Sequence, residues 1–369
     1  MIMNSIRTDL PALLLYNADA AWTPQEKQES QVAARILGDA LRNEGHPVRE
    51  VCLDSPDLSS ALAGYDPNEC LVFNWCEELP GIPRSSALVA QILERYGFTY
   101  TGASARALAF SQDKSKVKQK LAGKGIPTPR WKIYTEACTN GWDTFPAIVK
   151  PAFEHSSVGI SRDAVVRTAG EMSARIAYVI ENYNQSVLVE EFIDGREFHV
   201  TIVGNGTLHV LPAAEMDFSA FENVEDRLCT YESKFDPQSI PYNAIKLMLP
   251  APLTDTEVSQ LENTVLAAYR AADCRDYARL DVRLSDGVFH VLDVNPNADI
   301  SPDTSLVLAA EMVGLSYGKL ASLLINLAAQ RHPTLGRSSP SDNLIEDLRK
   351  TEMQNGCLAS QESFSLGSI

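Results

Sequence analysis

Two aspartates and an asparagine carry the strongest chemical signal in the chain: Asp281 in ARLDVRLSDG, and Asp293 and Asn295 in VFHVLDVNPN. The two runs flank Asp286-Gly287, a dipeptide that closes tight hairpins. Alternate residues of a strand share a face. That puts Leu280, Val282, Leu284, Val288, Leu292 and Val294 on one side, and Arg279, Asp281, Asp293 and Asn295 on the other. Any register of a tight turn at Ser285 to Gly287 that pairs odd positions with odd ones brings Asp281 near Asp293, and like charges facing each other across a ladder destabilise it. A hard cation held by both carboxylates and the Asn295 amide oxygen relieves the repulsion, because Mg²⁺ takes oxygen ligands and shares them with phosphates. The bland alternative is a solvated hairpin face whose charges keep it soluble, with Arg283 neutralising one aspartate.

A second group of residues suits phosphate. FPAIVKPAFEHSSVGISR sets Lys150 at the end of a short apolar strand and follows it with the small residues Ser156, Ser157 and Gly159. Such a loop can aim backbone N–H groups at phosphate oxygens beside a point charge. AGKGIPT has Gly-Lys without the spacing or the following Ser or Thr of a Walker A loop, and reads as a helix C-cap. Lys114 opens a helix where it could reach an anion between domains; otherwise it is one lysine among several on a wet face. In SVLVEEFIDGREFHV, Glu190 and Glu197 stand seven residues apart around Asp194-Gly195. Such carboxylates can accept from an exocyclic amine and hold ribose hydroxyls, although acidic hairpins are common without a ligand. His155 reads as a loop residue near substrate, and His199 and His290 as packed or hydrogen-bonded rather than catalytic.

These groups need a scaffold, and the chain supplies three units. Strands at ALLLY, VREVCL and CLVFNW alternate with helices near residues 25 to 44 and at SSALVAQILERYG, which predicts a parallel α/β layer over residues 1–112. A lysine-rich helix, DKSKVKQKLAGKG, opens a second unit over 113–206, with a strand at AIVK, a helix at AGEMSARIAYVIENY, and strands at SVLVEEFI and REFHVTIVG. A third unit, 207–331, holds the helix TDTEVSQLENTVLAAYRAAD, the carboxylate hairpin, and the helices SLVLAAEMVG and YGKLASLLINLAAQR. From His332 to residue 369 the composition turns polar with weak periodicity, and a mobile tail is expected.

Bulk properties narrow the function. With 369 residues and 45% hydrophobic content the chain can bury large cores. A formal charge of -16 argues against nucleic acid or anionic membrane as partners, so any bound anion requires a local basic cluster. Seven cysteines without a CxxC pair fit reduced thiols in the cytoplasm. The apolar run from Leu10 to Tyr16 is too short for a signal or a membrane span. No GxGxxG follows a strand, which disfavours a dinucleotide-dependent oxidoreductase.

The ordered series of lysine, lysine with a serine loop, paired glutamates, Arg-x-Asp and Asp-x-Asn resembles the ATP-grasp superfamily, and within it the D-alanine-D-alanine ligases. The resemblance spans roughly residues 95 to 325 and is strongest in YGFTYTGAS, KGIPTP, VKPAFEHSSVGIS, VEEFIDGREF, ARLDVRLSDGVFHVLDVNPN and AAEMVGLSY. It implies an N-terminal α/β domain and two ATP-grasp subdomains, with ATP held between the latter two. It further implies that Lys114 and Lys150 contact the ATP phosphates, that Glu190 and the Phe192-Ile193 backbone hold adenine, and that Glu197 holds ribose. Lys234 matches a further nucleotide-contacting lysine. Asp281, Asp293 and Asn295 match ligands for Mg²⁺, with Mn²⁺ as an alternative ion. Ser156 and Ser157 lie in the loop that closes over the γ-phosphate, and Arg279 matches the arginine that stabilises the acyl phosphate and tetrahedral intermediate. Small amino-acid-like substrates, ADP formation and a homodimer are what the family pattern implies.

Several stretches depart from that pattern. The family's Gly-Gly-x-Ser-x-Glu opening has no counterpart in YNADAAWTPQEKQES, and its Leu-His-Gly segment is replaced by FNWCEELPG. Phe235 replaces a tyrosine of the substrate loop, as in relatives that accept hydroxy acids. Asp293 stands where glutamate is usual, and PNADISPDTSL is one residue longer than the family segment, with Asp299 near the oxyanion-forming position. An ATP-dependent carboxylate-amine ligase is therefore expected, with a non-catalytic ATP-binding protein or a hydroxy-acid-accepting ligase as alternatives.

Overall fold

A computed structural model describes residues 6–338 and 362–365. Its first sheet is parallel: β1 (Ala12–Asn17), β2 (Val48–Leu53) and β3 (Leu71–Trp75) run in the order β2-β1-β3. Every residue of β1 is buried. Ala12, Leu14 and Tyr16 face one core and Leu13 and Leu15 another, as befits a strand covered on both faces. The helix Pro24–Glu44 has a capping box between Thr23 and Glu26 and stops at Gly45, whose φ of 110° is left-handed.

The second sheet contains β4 (Trp131–Tyr134), β5 (Ala147–Pro151), β6 (Val165–Val166) and β7 (Val187–Glu191), in the antiparallel order β4-β7-β5-β6. Helix Ala169–Tyr183 lays Met172, Ile176 and Val179 against it, the spacing of one helical face.

The third sheet comprises β8 (Arg196–Gly204), β9 (Leu208–Val210), β10 (Ala214–Asp217), β11 (Lys246–Leu249), β12 (Tyr277–Ser285), β13 (Val288–Asn295) and β14 (Glu362–Ser365). Its order is β13-β12-β8-β10-β11-β14, with β9 on β8. Grouped by sequence with the second unit, β8 instead lies between β12 and β10, so the crossing between sheets falls at Asp194-Gly195 rather than at residue 206. All but the first of its residues are buried, which requires partners along both edges. A Cβ at Gly195 would collide with the Leu284 carbonyl, so the crossing needs glycine.

Asp286 and Gly287, at φ 50° and 75°, form a two-residue turn between β12 and β13. Arg279 faces Asn295 and Asp281 faces Asp293; the register then slips, so that Val282 faces Val291. This bulge leaves Leu292 as the extra residue and reverses the parity beyond it. Phe289 and Val291 therefore enter the core, whereas Val288 is 41% exposed and Leu292 borders the cleft. Both leave the core face expected of them.

The chain does not detach at His332. That residue is 4% exposed and its Nε2 pairs with the Pro67 carbonyl at 2.9 Å. β14 pairs antiparallel with β11. The rest of the expected tail, 339–361 and 366–369, lies outside the described residues.

Candidate active site

A cleft open to solvent lies between the second and third sheets. It is lined by Lys114, Lys150, Ser156, Ser157, Glu190, Phe192, Ile193, Glu197, Lys234, Arg279, Asp281, Asp293 and Asn295. All the candidate residues thus converge on one space. Lys150 and Glu190 come from β5 and β7, Glu197 from β8, and the carboxylates from the β12–β13 hairpin.

Each carboxylate of the hairpin has its own cation. Arg279 donates through Nε and Nη2 to the two oxygens of Asp281 at 2.8 and 3.1 Å, and Lys114 pairs with Asp293. Burial opposes ionisation of both aspartates, but Arg279 on one and Lys114 on the other hold them below the usual carboxylate range. Asn295 Nδ2 donates to Asp281 Oδ2 at 3.1 Å, which leaves its carbonyl oxygen outside that bond. Two ionised carboxylates and an amide oxygen on one strand pair form a hard-oxygen set, and these residues fit Mg²⁺. Arg283 does not serve either aspartate. Its Nε donates to Glu197 Oε2 at 2.7 Å and its Nη1 to the Ile193 carbonyl at 2.7 Å, beneath the ring of Phe192. The β12–β8 register sets it directly opposite Glu197.

Glu190 lies beneath the cleft, 1% exposed, between Lys150 and a lysine the sequence reading passed over. Lys118 Nζ is 2.7 Å from Glu190 Oε1 and donates to Thr128 Oγ1 at 2.9 Å and to the Val291 carbonyl at 3.2 Å. The available signal was its i, i+4 spacing from Lys114, which puts both on one helix face. Two buried ammonium groups share one carboxylate. Burial pushes Lys118 down to about 8, with Lys150 adding repulsion. For Lys150 the burial penalty is outweighed by Glu190 and Asp293, which hold its pKa up.

The excess positive charge has a pH consequence. A phosphate engaging Lys150 leaves Glu190 to neutralise Lys118 alone, which favours the charged form of Lys118. Above pH 8 anion binding must then take up a proton, so affinity for a phosphate-bearing ligand falls as pH rises from about 8 toward the ordinary lysine value, by at most about tenfold per unit. Calorimetry in two buffers of different ionisation enthalpy should show proton uptake at about pH 9 and none from this group at about pH 6.5; equal affinities at both would remove Lys118 from the binding linkage.

Two loops roof the cleft. Ser156 and Ser157 adopt left-handed φ values of 54° and 59°. Ser157 Oγ donates to the Cys229 carbonyl at 2.9 Å, and the Tyr231 N–H to the Ile160 carbonyl at 3.1 Å. Two histidines border the same space. Burial, with the charge of Lys114, pushes His155 down to about 4. Burial also brings His199 to about 4 against the pull of Asp281. Both are neutral at pH 7. His199 is hydrogen-bonded, as expected for a strand histidine, but its Nε2 faces the cleft carboxylates, 3.8 Å from Asp281 Oδ1.

Comparison with known proteins agrees with this arrangement. Residues 124–326 match the family model described as D-ala D-ala ligase C-terminus. The y4sG protein of Sinorhizobium fredii (strain NBRC 101917 / NGR234) is 31% identical, over 84% of this chain and 90% of that protein. A D-alanine-D-alanine ligase of Marinomonas sp. (strain MWYL1) is 29% identical, over 85% and 94% of the two chains. In fold, the chain is similar to the crystal structure of D-alanine-D-alanine ligase from Bacillus anthracis complexed with ATP: TM-score 0.68, 21% identity, covering 88% of this chain and 98% of that one.

Proposed function

This chain belongs to the D-alanine-D-alanine ligase family of ATP-grasp proteins, and from that premise we propose that it is an ADP-forming, ATP-dependent carboxylate-amine ligase. The observation that carries the proposal is the convergence of Lys114, Lys150, Lys234 and Arg279 with a paired-aspartate hairpin in one cleft of a protein whose net charge is -16. Such local positive charge in an acidic chain suits a triphosphate.

ATP enters as a substrate. Phe192 N–H is engaged by the Pro146 carbonyl and Ile193 O by Arg283, and on this reading the Phe192 carbonyl and the Ile193 N–H meet the purine edge. Glu197, held by Arg283, faces the ribose. Lys114 and Lys150 exchange their carboxylate partners for phosphate oxygens. A substrate carboxylate attacks the γ-phosphate, ADP departs, and an amine then displaces phosphate from the acyl phosphate. Arg279 uses two of its five N–H donors on Asp281 and has others for the oxyanion. The serine loop excludes water from the activated acid. Asp281, Asp293 and Asn295 would hold Mg²⁺ or Mn²⁺, which when bound offsets charge on the transferring phosphoryl group.

The acceptor end differs from the family pattern at Phe235, whose ring lies tilted against that of Tyr231 with centroids 4.7 Å apart and brings no hydroxyl. Hydroxy acids therefore belong among the test substrates. The same reading carries amino-acid-like substrates, a homodimer and a cytoplasmic location as proposals; no single described helix is long and apolar enough to cross a membrane. Phosphate release from Mg·ATP with pooled amino acids, hydroxy acids and amines, followed by mass spectrometry, tests the function. One pool should raise release well above the substrate-free rate and yield a condensed product. ATP binding with no pool raising release would favour a non-catalytic nucleotide-binding protein.

A further inference from the structure

On the β8 side of the cleft, Glu197, His199 and Cys229 each present one donor atom, and the three atoms lie within 4.8 Å of one another. We propose that, when no nucleotide is in the cleft and Glu197 is free of ribose, these residues hold a divalent transition ion of the Zn²⁺ type, beside the all-oxygen hairpin set, whose Asp281 Oδ1 lies 3.8 Å from His199 Nε2.

The surroundings prepare each donor. His199 Nδ1 lies 3.3 Å from Ser305 Oγ; with that nitrogen donating to the hydroxyl, the Nε2 lone pair faces Glu197 Oε1 at 4.0 Å. A metal-binding imidazole is usually oriented by such a bond from its other nitrogen. Glu197 is oriented in the same way, because Arg283 takes Oε2 and leaves Oε1 to the gap. Cys229 is held through its backbone carbonyl, which accepts from Ser157, so that bond does not engage its sulfur. Glu197, His199 and Cys229 are 5, 8 and 9% exposed, a dry setting that favours coordination. Tetrahedral zinc sets neighbouring ligand atoms roughly 3.3–3.6 Å apart, given bonds of about 2.0 Å to N or O and 2.3 Å to S. Contraction by about an ångström closes the triad. Nitrogen and sulfur donors select this ion class over Mg²⁺, and a water from the cleft completes the fourth position. Binding forms a metal–sulfur bond and releases the Cys229 thiol proton to the buffer.

Co²⁺ titration of the full-length, reduced, nucleotide-free protein tests the site without reference to catalysis. One equivalent should produce a thiolate-to-cobalt charge-transfer band in the near ultraviolet that Zn²⁺ abolishes on displacing the cobalt. Cys229→Ser should eliminate the band and weaken Zn²⁺ binding by about 100-fold, while a melting curve verifies that the variant is folded. Cys52→Ser, at an exposed thiol, should leave the band in place. Ser305→Ala, which removes only the partner of His199 Nδ1, should keep the band but weaken Zn²⁺ by about 10-fold. Absence of the band in the wild-type protein, or its survival in Cys229→Ser, overturns the assignment.

Discussion

Asp281→Asn should lower turnover by about 10³-fold, the equivalent of roughly 4 kcal/mol of lost transition-state stabilisation, while leaving ATP binding largely intact. Asparagine keeps the shape of the side chain and one acceptor for Arg279, whose two bonds to Asp281 measure 2.8 and 3.1 Å. What disappears is the charge that, with Asp293 directly opposite, makes the hairpin attractive to a hard cation. The loss should fall on kcat, because the lysines that meet the phosphates are untouched. ADP formation under saturating ATP is the measurement, made with the substrate pair found by pool screening. Activity within tenfold of wild type would mean that Asp281 is no metal ligand and serves only to hold Arg279.

The largest stability loss is expected from Arg283→Met. Arg283 is 2% exposed, donates to Glu197 and to two backbone carbonyls, and lies between the rings of Phe192 and Phe218. Methionine fills part of the volume but strands the Glu197 carboxylate, 5% exposed, without its cation. Removing one partner of a buried pair costs about 3–5 kcal/mol, whereas replacing both with apolar groups is often neutral. Arg283→Met should therefore melt well below wild type, and Arg283→Met/Glu197→Leu should recover most of the difference. A double variant no more stable than the single one would show that the two backbone carbonyls, not Glu197, account for the loss.

Much of this was legible in the residues, for local reasons. Alternation put Arg279, Asp281, Asp293 and Asn295 on one face, but the two-residue turn at Asp286-Gly287 pairs odd positions with even ones, and only the slip between Asp281 and Val282 sets Asp281 opposite Asp293. The helix Ala169–Tyr183, with a cap at one end and an apolar stripe, was placed to the residue. Features that depend on distant partners were not legible. The bulge at Leu292 forms where β13 must keep Val294 and Val291 in one core, and no local pattern marks it. Lys118 looks like any lysine on a wet helix until Glu190, seventy-two positions further on, is folded beneath it. β8 reads equally well as the last strand of one sheet or the central strand of the next; only its burial on both faces decides. His199 and Cys229 sit on separate segments whose meeting requires the third sheet.

The cross-tie between the two roof loops also sets how the cleft can exchange its contents. Its two bonds, from Ser157 to Cys229 and from Tyr231 to Ile160, join segments some seventy residues apart in sequence, so neither can lift alone. At a net worth of about 1 kcal/mol per bond, both are parted roughly 3% of the time. Any exchange that needs the two loops to separate is therefore held to that small share of time.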